Sequence, residues 1–359
     1  MQEEQAVLWV RLMVRETEST DGTGVARSSP PSRRGKAHPG PVVAGYALTL
    51  WGAVTLVFLL PRWLPGDPLM AMLDGDANVT VTDDARAELM AHYGLDRPMA
   101  VQYRDYLAGL ATGDLGWSIS QRMPVMEAIG SRLPWTAGLV IPAMAISTAG
   151  GFIAGVEAAW YRRRMADRIL VLVFSIARGI PDYVVAFALL IALAVVFPVF
   201  PLAGARTPFN SDAPFWSQTL DVARHAALPI AALSLSLLGT KFLLARSSMV
   251  AVLGQDYLLL ARAKGLGVAR VKYRHGARNA VAPVLAQAGT QFGFALGGAV
   301  FIEQVFAYPG IGSLTLTAVD ARDFALLDGC FLVLAGAVIL ANFMADFATA
   351  WICPETRGR

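Results

Sequence analysis

Long apolar runs separated by short polar segments dominate the chain, and several approach or exceed the roughly 20 apolar residues that carry a helix across a bilayer. The pattern predicts six membrane helices, at about 42–60, 135–158, 169–199, 227–250, 280–301 and 326–352. The third is long enough to be tilted or broken, and Gly179-Ile180-Pro181 is where a break is expected, because proline cannot donate to the helical ladder. The fold class this implies is an all-α polytopic membrane protein. Residues 1–41, rich in Ser, Thr, Gly, Pro and Arg, read as a disordered tail. They are not a signal peptide, since the first apolar run begins too far in and is too long. Residues 61–134 form a polar domain between the first two spans, and residues 135–357 form a membrane core interrupted by a basic segment at 251–280.

Composition agrees. The 359 residues are 55% hydrophobic with a mean hydropathy of +0.49, and only 16% are charged, against about 25% in an ordinary soluble domain. Lysine and arginine then set the orientation. Six lie in the tail, four in the loop after the second span, eight between 241 and 278 and two at the C-terminus, against nine on the opposite side and Arg178 within a span. The 62–133 stretch has six basic and ten acidic residues. Both termini and the 251–280 segment are therefore expected in the cytoplasm, with 61–134 outside.

The net charge of +3 is spread along membrane edges, so no nucleic-acid partner is expected. Cys330 and Cys353 lie too far apart along one helix to bridge. His38, His92, His225 and His275 are too dispersed for a metal site, and no cofactor or metal is expected on this chain. The chain lacks the Gly-x4-Gly-Lys-Ser/Thr phosphate loop, and so has no route of that kind to ATP hydrolysis. It also lacks His-Glu-x2-His and Gly-x-Ser-x-Gly, which weakens a protease or hydrolase reading. An ion-coupled carrier would need inverted repeats, and none is evident.

The basic segment carries the most specific chemistry. In Gln255-Asp256-Tyr257-Leu258-Leu259-Leu260-Ala261-Arg262-Ala263-Lys264-Gly265-Leu266-Gly267, Asp256 is the expected N-cap and Arg262 and Lys264 complement the negative end of the helix dipole. Gly265 supplies the left-handed C′ position, and Leu266 folds back on the last turn. A capped helix placed between two spans suits presentation to a soluble partner, with Tyr257, Leu260, Ala261 and Leu266 entering its groove. The alternative is a purely positive anchor for the flanking spans.

Gly289, Gly293 and Gly297 share one face of the fifth span, a small-residue seam for a helix neighbour, and Gly151 with Gly155 is a weaker instance on the second. Arg178 falls at membrane depth, where a charge costs roughly 2.5–3.5 kcal/mol unless paired or wetted. Asp182 could pair with it if the helix survives Pro181. The other reading has Arg178 lining a path and meeting an anionic group such as a peptide carboxylate. Gln287 and Gln291 could line the same cavity or make buried interhelical bonds.

Asp256-Tyr257, Ala261-Arg262-Ala263-Lys264-Gly265-Leu266 and Arg274-His275 through Pro283 resemble the permease subunits of bacterial ATP-binding-cassette (ABC) importers of dipeptides, oligopeptides and nickel. So do Leu64-Pro65-Gly66-Asp67-Pro68, Tyr93 to Pro98, Gln102-Tyr103, Gly113-Asp114-Leu115-Gly116 and Phe301-Ile302-Glu303-Gln304-Val305-Phe306-Ala307-Tyr308-Pro309-Gly310-Ile311-Gly312. The resemblance spans about residues 42–357 and is to the first of the two permeases. It implies six transmembrane helices of the type I importer kind. It also implies a heterodimer with a second permease, two ATPase subunits that carry ATP and magnesium, an external solute-binding protein, and residence in the lipid of a bacterial inner membrane. The substrate it implies is a peptide, with nickel or another small solute as the alternative. The coupling residues it implies are Asp256, Tyr257, Leu260, Ala261, Ala263, Lys264, Gly265, Leu266, Arg274 and His275. Arg178, Asp182, Gln287, Gln291 and Glu303 are the candidate lining of the translocation path. Three features depart from the family pattern: the long tail, Arg178 beside the Ile-Pro of the third span, and Cys353 before Pro354.

Overall fold

The computed structural model describes residues 39–63, 96–208 and 214–352, with side chains from 44–59, 96–208 and 214–347. The N-terminal tail, Cys353 and the motif at 64–68 lie outside them. The elements run α1 (Pro39–Trp63), α2 (Met99–Thr112), a two-residue antiparallel hairpin of β1 (Trp117–Ser118) and β2 (Met123–Pro124), α3 (Val125–Trp160), α4 (Met165–Ala177) and α5 (Asp182–Leu190). Then follow α6 (Phe215–Leu253), α7 (Asp256–Ala263), a π-type turn at Arg270–Ala277, α8 (Ala282–Val305), α9 (Ile311–Asp320) and α10 (Phe324–Ile352).

Among the described residues, α3, α6, α8 and α10 are each long and apolar enough to cross a membrane, and α4 with α5 makes one more span bent by 99°. At the place of the first predicted span, α1 has 25 residues, of which Ala44–Leu59 form a shorter apolar stretch. The break in the third span falls at Gly179-Ile180-Pro181 as expected. Two helices outrun their apolar stretches. α3 begins at Val125 and α6 at Phe215, about a dozen residues or fewer before the predicted spans, because polar residues end hydrophobicity without ending a helical ladder. α9 is an apolar helix the span pattern did not separate.

The core lies where α3, α6 and α8 meet, around Leu139, Ala143, Leu233, Ala295 and Ile302. Glycine permits the closest approach. A Cβ on Gly155 would stand 2.7 Å from the Phe242 carbonyl oxygen, and one on Gly151 would be 3.0 Å from the Phe242 nitrogen, so α3 meets the backbone of α6. In the seam of α8 the expectation holds only in part. Gly289 is jammed against Asn342 of α10, Gly293 is in ordinary contact with Val338, and Gly297 meets nothing within 4 Å among the described residues.

Outside the core, α2 docks on α1 through Tyr103 and Tyr106 against Phe58, with the Thr55 and Tyr103 hydroxyls 2.7 Å apart. The hairpin is pinned to the start of α10 by the Asp323 carboxylate, which accepts from the Ser118 hydroxyl at 2.7 Å and from the Ser120 amide and hydroxyl.

Candidate functional site

Two regions gather the predicted residues: the segment between α6 and α8, and the break between α4 and α5. In the first, α7 is closed by Gly265 at φ 75°. The Gly265 amide donates to the Arg262 carbonyl at 2.9 Å and the Leu266 amide to the Ala261 carbonyl at 3.4 Å, the paired bonds of a Schellman cap. Its N-terminus departs from expectation. Gln255, extended at φ −87°, is the N-cap, Asp256 is the first helical residue, and no side chain caps the helix. Asp256 therefore acts through its charge at the positive end of the dipole.

The helix divides into two faces. Leu258 and Ala261 are buried with Val271, and Leu266 and Trp160 pack around them. Tyr257, Leu259 and Leu260 stand out at 39%, 58% and 57% exposure. Ala261 and Leu266, expected on the docking face, thus hold the helix to the protein, and Leu259 takes the outward place. Ala263, Lys264 and Arg274 are exposed and His275 is half-buried.

Residues with no sequence signal of their own mount this helix. Lys272 donates to both carboxylate oxygens of Glu157, near the end of α3, at 2.7 and 2.8 Å, and the Tyr273 hydroxyl donates to the same carboxylate. Burial opposes the Lys272 charge, but the Glu157 carboxylate outweighs it and the ammonium pKa lies above the ordinary lysine value. Arg262 sits 5.2 Å over the Trp160 ring, a cation–π contact. The Asn279 amide donates to the Tyr257 hydroxyl at 2.8 Å. Nearby, Arg246 of α6 makes a two-point bond at 2.7 and 2.8 Å to the buried Asp167 at the start of α4, which also accepts the Arg163 amide. The one available signal was an acid, Glu157 or Asp167, at the end of an apolar run, where charges are rare.

At the second region, the chain turns sharply after Arg178. A Cβ on Gly239 of α6 would meet the Phe174 carbonyl oxygen at 2.8 Å and the Arg178 Cβ at 3.3 Å, so the end of α4 rests on α6 at a glycine. Asp182 does not pair with Arg178. Its carboxylate fills the space above Gly298 of α8 and faces Ser236 of α6. Arg178 is exposed, and among the described residues its guanidinium has no hydrogen bond or ion pair. Gln291 is buried in α8, and the buried side-chain oxygen of Gln287 has no hydrogen-bond partner among the described residues.

Glu303 is fully buried. It accepts from the Thr136 hydroxyl at 2.7 Å and from the Ser313 amide at 2.9 Å, and Thr136 accepts from the Ile311 amide at 2.8 Å. In this chain the carboxylate is engaged by protein, tying α3 and α8 to the N-terminus of α9. Lys241 of α6, counted by sequence with the cytoplasmic charges, is also fully buried, and its ammonium has no partner among the described residues.

Residues 147–358, from the middle of α3 through the segment between α6 and α8 and on past α10, match the family described as binding-protein-dependent transport system inner membrane component. The chain belongs to that family. It is 33% identical over 313 residues to the glutathione transport system permease protein GsiC of Escherichia coli strain K12, covering 87% of this chain and 96% of that protein. It is 34% identical over the same length to GsiC of Salmonella choleraesuis. A chain of the inward-facing MetNI methionine ABC transporter superposes with a TM-score of 0.50 at 13% identity, over 63% of this chain and 97% of that one; this likeness is one of fold. The permease is thus a multi-pass membrane subunit of an ABC importer, from a family that is generally not catalytic.

Proposed function

We propose that this permease forms, with a second and different permease, the path by which a small peptide delivered by an external solute-binding protein crosses the inner membrane. Glutathione, named for the relatives, is a peptide of that size. Two ATPase subunits, holding ATP and magnesium, drive the cycle from the cytoplasm, where both termini lie, and residues 61–134 face the binding protein. The observation that carries this reading is the mounted helix α7. Its inner face is fixed to α3 by Trp160 and the Lys272–Glu157 pair, while Tyr257, Leu259 and Leu260 remain exposed on a segment too polar to sit in lipid. An apolar helical face held rigidly beside exposed arginines suits a groove on a soluble partner. Nickel or another small solute is the alternative cargo, since selectivity of this kind rests largely with the binding protein.

The test is reconstitution of the chain with its second permease, ATPases and binding protein in proteoliposomes. ATP-dependent uptake of labelled glutathione or dipeptide that stops when the binding protein or ATPase is omitted supports the proposal. Uptake by this chain alone, driven by an ion gradient, would overturn it.

A further inference from the structure

We infer that Arg178 is a carboxylate-recognising residue on the water-filled wall of the translocation path, and that it selects for anionic solute in transit. The inference rests on the permease reading above.

Depth is the first consideration. Asp167 and Arg246 mark one end of the third span, and Arg178 lies eleven residues further along, roughly 16 Å up a helix rising 1.5 Å per residue. A guanidinium at that level cannot reach bulk water by extending its side chain, and in lipid it would carry the full cost of an unpaired charge. The pairing within the chain that the sequence offers fails on geometry. Asp182, the nearest acid in sequence, is carried away by the 99° bend and faces Ser236 and Gly298. Arg246, by contrast, is satisfied by two bonds to Asp167.

The backbone beside it makes the same demand. Gly179 and Ile180 donate to the Ile176 and Ala177 carbonyls in tight turns. Among the described residues, the carbonyls of Arg178, Gly179 and Ile180 accept no backbone hydrogen bond. Open carbonyls at membrane depth occur where protein or a water-filled cavity meets them, not lipid. Were it a water-filled cavity that meets them, the permanently charged planar fork of Arg178 would be suited there to two-point binding of a carboxylate. The α4–α5 break is packed on α6 and α8 through Gly239 and Gly298, so the backbone that carries Arg178 is held in a fixed place.

The test uses the assembled importer in membranes, with Cys330→Ala and Cys353→Ala removing native thiols and Ser175→Cys placing one exposed thiol a turn before Arg178. Reaction rates with an anionic (sulfonatoethyl) and a cationic (trimethylammonioethyl) methanethiosulfonate are each divided by the rate with a free thiol. With Arg178 present the anionic reagent should be favoured about tenfold, the low end of what a focused field achieves. Arg178→Gln should abolish that preference and Arg178→Lys restore it. A thiol inert to both reagents means lipid or packed protein surrounds it, and a ratio unmoved by Arg178→Gln means the charge does not face the solute; either result overturns the inference while leaving ATP-driven uptake by the parent complex intact. Failure of the parent complex to assemble or transport would instead overturn the permease reading.

Discussion

The carboxylate of Glu303 fills the space that a side chain on Gly310 would occupy. Gly310 is the N-cap residue of α9 and has no side chain to cap it. Glu303 supplies the missing acceptor from the end of α8, taking the Ser313 amide three positions into the helix, and its charge lies at the positive end of the α9 dipole. Thr136, bridging Glu303 and the Ile311 amide, adds α3 to the same knot. The Phe301–Gly312 motif is explained by this arrangement: the acid and the glycines at 310 and 312 are one structural unit.

Gly310→Ala should therefore destabilise the protein even though alanine is harmless at most N-terminal helix positions. The added methyl collides with Glu303, and overpacking of this kind costs about 1–3 kcal/mol. Glu303→Gln should cost a similar amount, because it removes the charge at the α9 dipole and the Thr136 hydroxyl must give up donating to this side chain and accept from its amide instead. Thermal unfolding of the detergent-purified complex measures both, and an unchanged melting temperature in both variants would refute the capping role.

The coupling segment yields a second expectation. Gly265 stands at φ 75° with nothing within 4 Å of where a Cβ would project, so any penalty there comes from the backbone alone. Gly265→Val should introduce about 1–3 kcal/mol of strain and loosen the Schellman cap, lowering uptake while ATP hydrolysis continues. Gly265→Asn, which tolerates the left-handed region, should keep most of the uptake. Membrane insertion should be normal in both. Equal uptake by the valine variant and the parent would remove the cap from the coupling mechanism.

How much of this was legible in sequence depends on range. The break at Gly179–Pro181 and the Gly265–Leu266 cap are local, written in residues adjacent along the chain, and both appear as read. The Asp256 cap was misplaced by one residue, since Gln255 and Asp256 differ in role only through backbone angles. The supports of the site are long-range: Glu157 meets Lys272 115 positions away and Thr136 meets Glu303 167 positions away, and no spacing rule links such pairs. Lys241 is counted from 241 onward with the cytoplasmic charges, yet it lies inside both the predicted span at 227–250 and α6, and a count of charges by segment does not register which residues of a span are buried.

The Glu157–Lys272 pair carries a third expectation. Lys272→Met or Glu157→Gln alone leaves a partly buried charge unpartnered, at about 1–3 kcal/mol, and frees one side of the α7 mount. Uptake per complex should fall in each single variant. The double variant should recover stability, since replacing both partners removes the orphaned charge. A double variant less stable than either single one would show that the two side chains act independently.

The glycine seams separate contact within the chain from contact beyond it. Gly155 is locked: a Cβ there would lie 2.7 Å from the Phe242 carbonyl and 2.8 Å from both Ala245 Cβ and the Arg246 amide. Gly155→Ala must push α3 off α6, and the shift would reach the neighbouring Arg246–Asp167 bond. It should lower the melting temperature clearly, by the about 1–3 kcal/mol of an overpacked core. Gly297 sits on the expected seam of α8 yet meets nothing within 4 Å among the described residues, so Gly297→Ala should leave the melting temperature of the isolated subunit unchanged. That face, beside the exposed Phe294 and Phe301, is where the proposed second permease is expected to pack. Gly297→Ala should accordingly weaken recovery of the second permease on a tagged copy of this subunit, while Gly155→Ala should reduce the amount of folded subunit itself. Matching losses of folded subunit in the two variants would mean that α8 is packed on this face by its own chain, contrary to the structure.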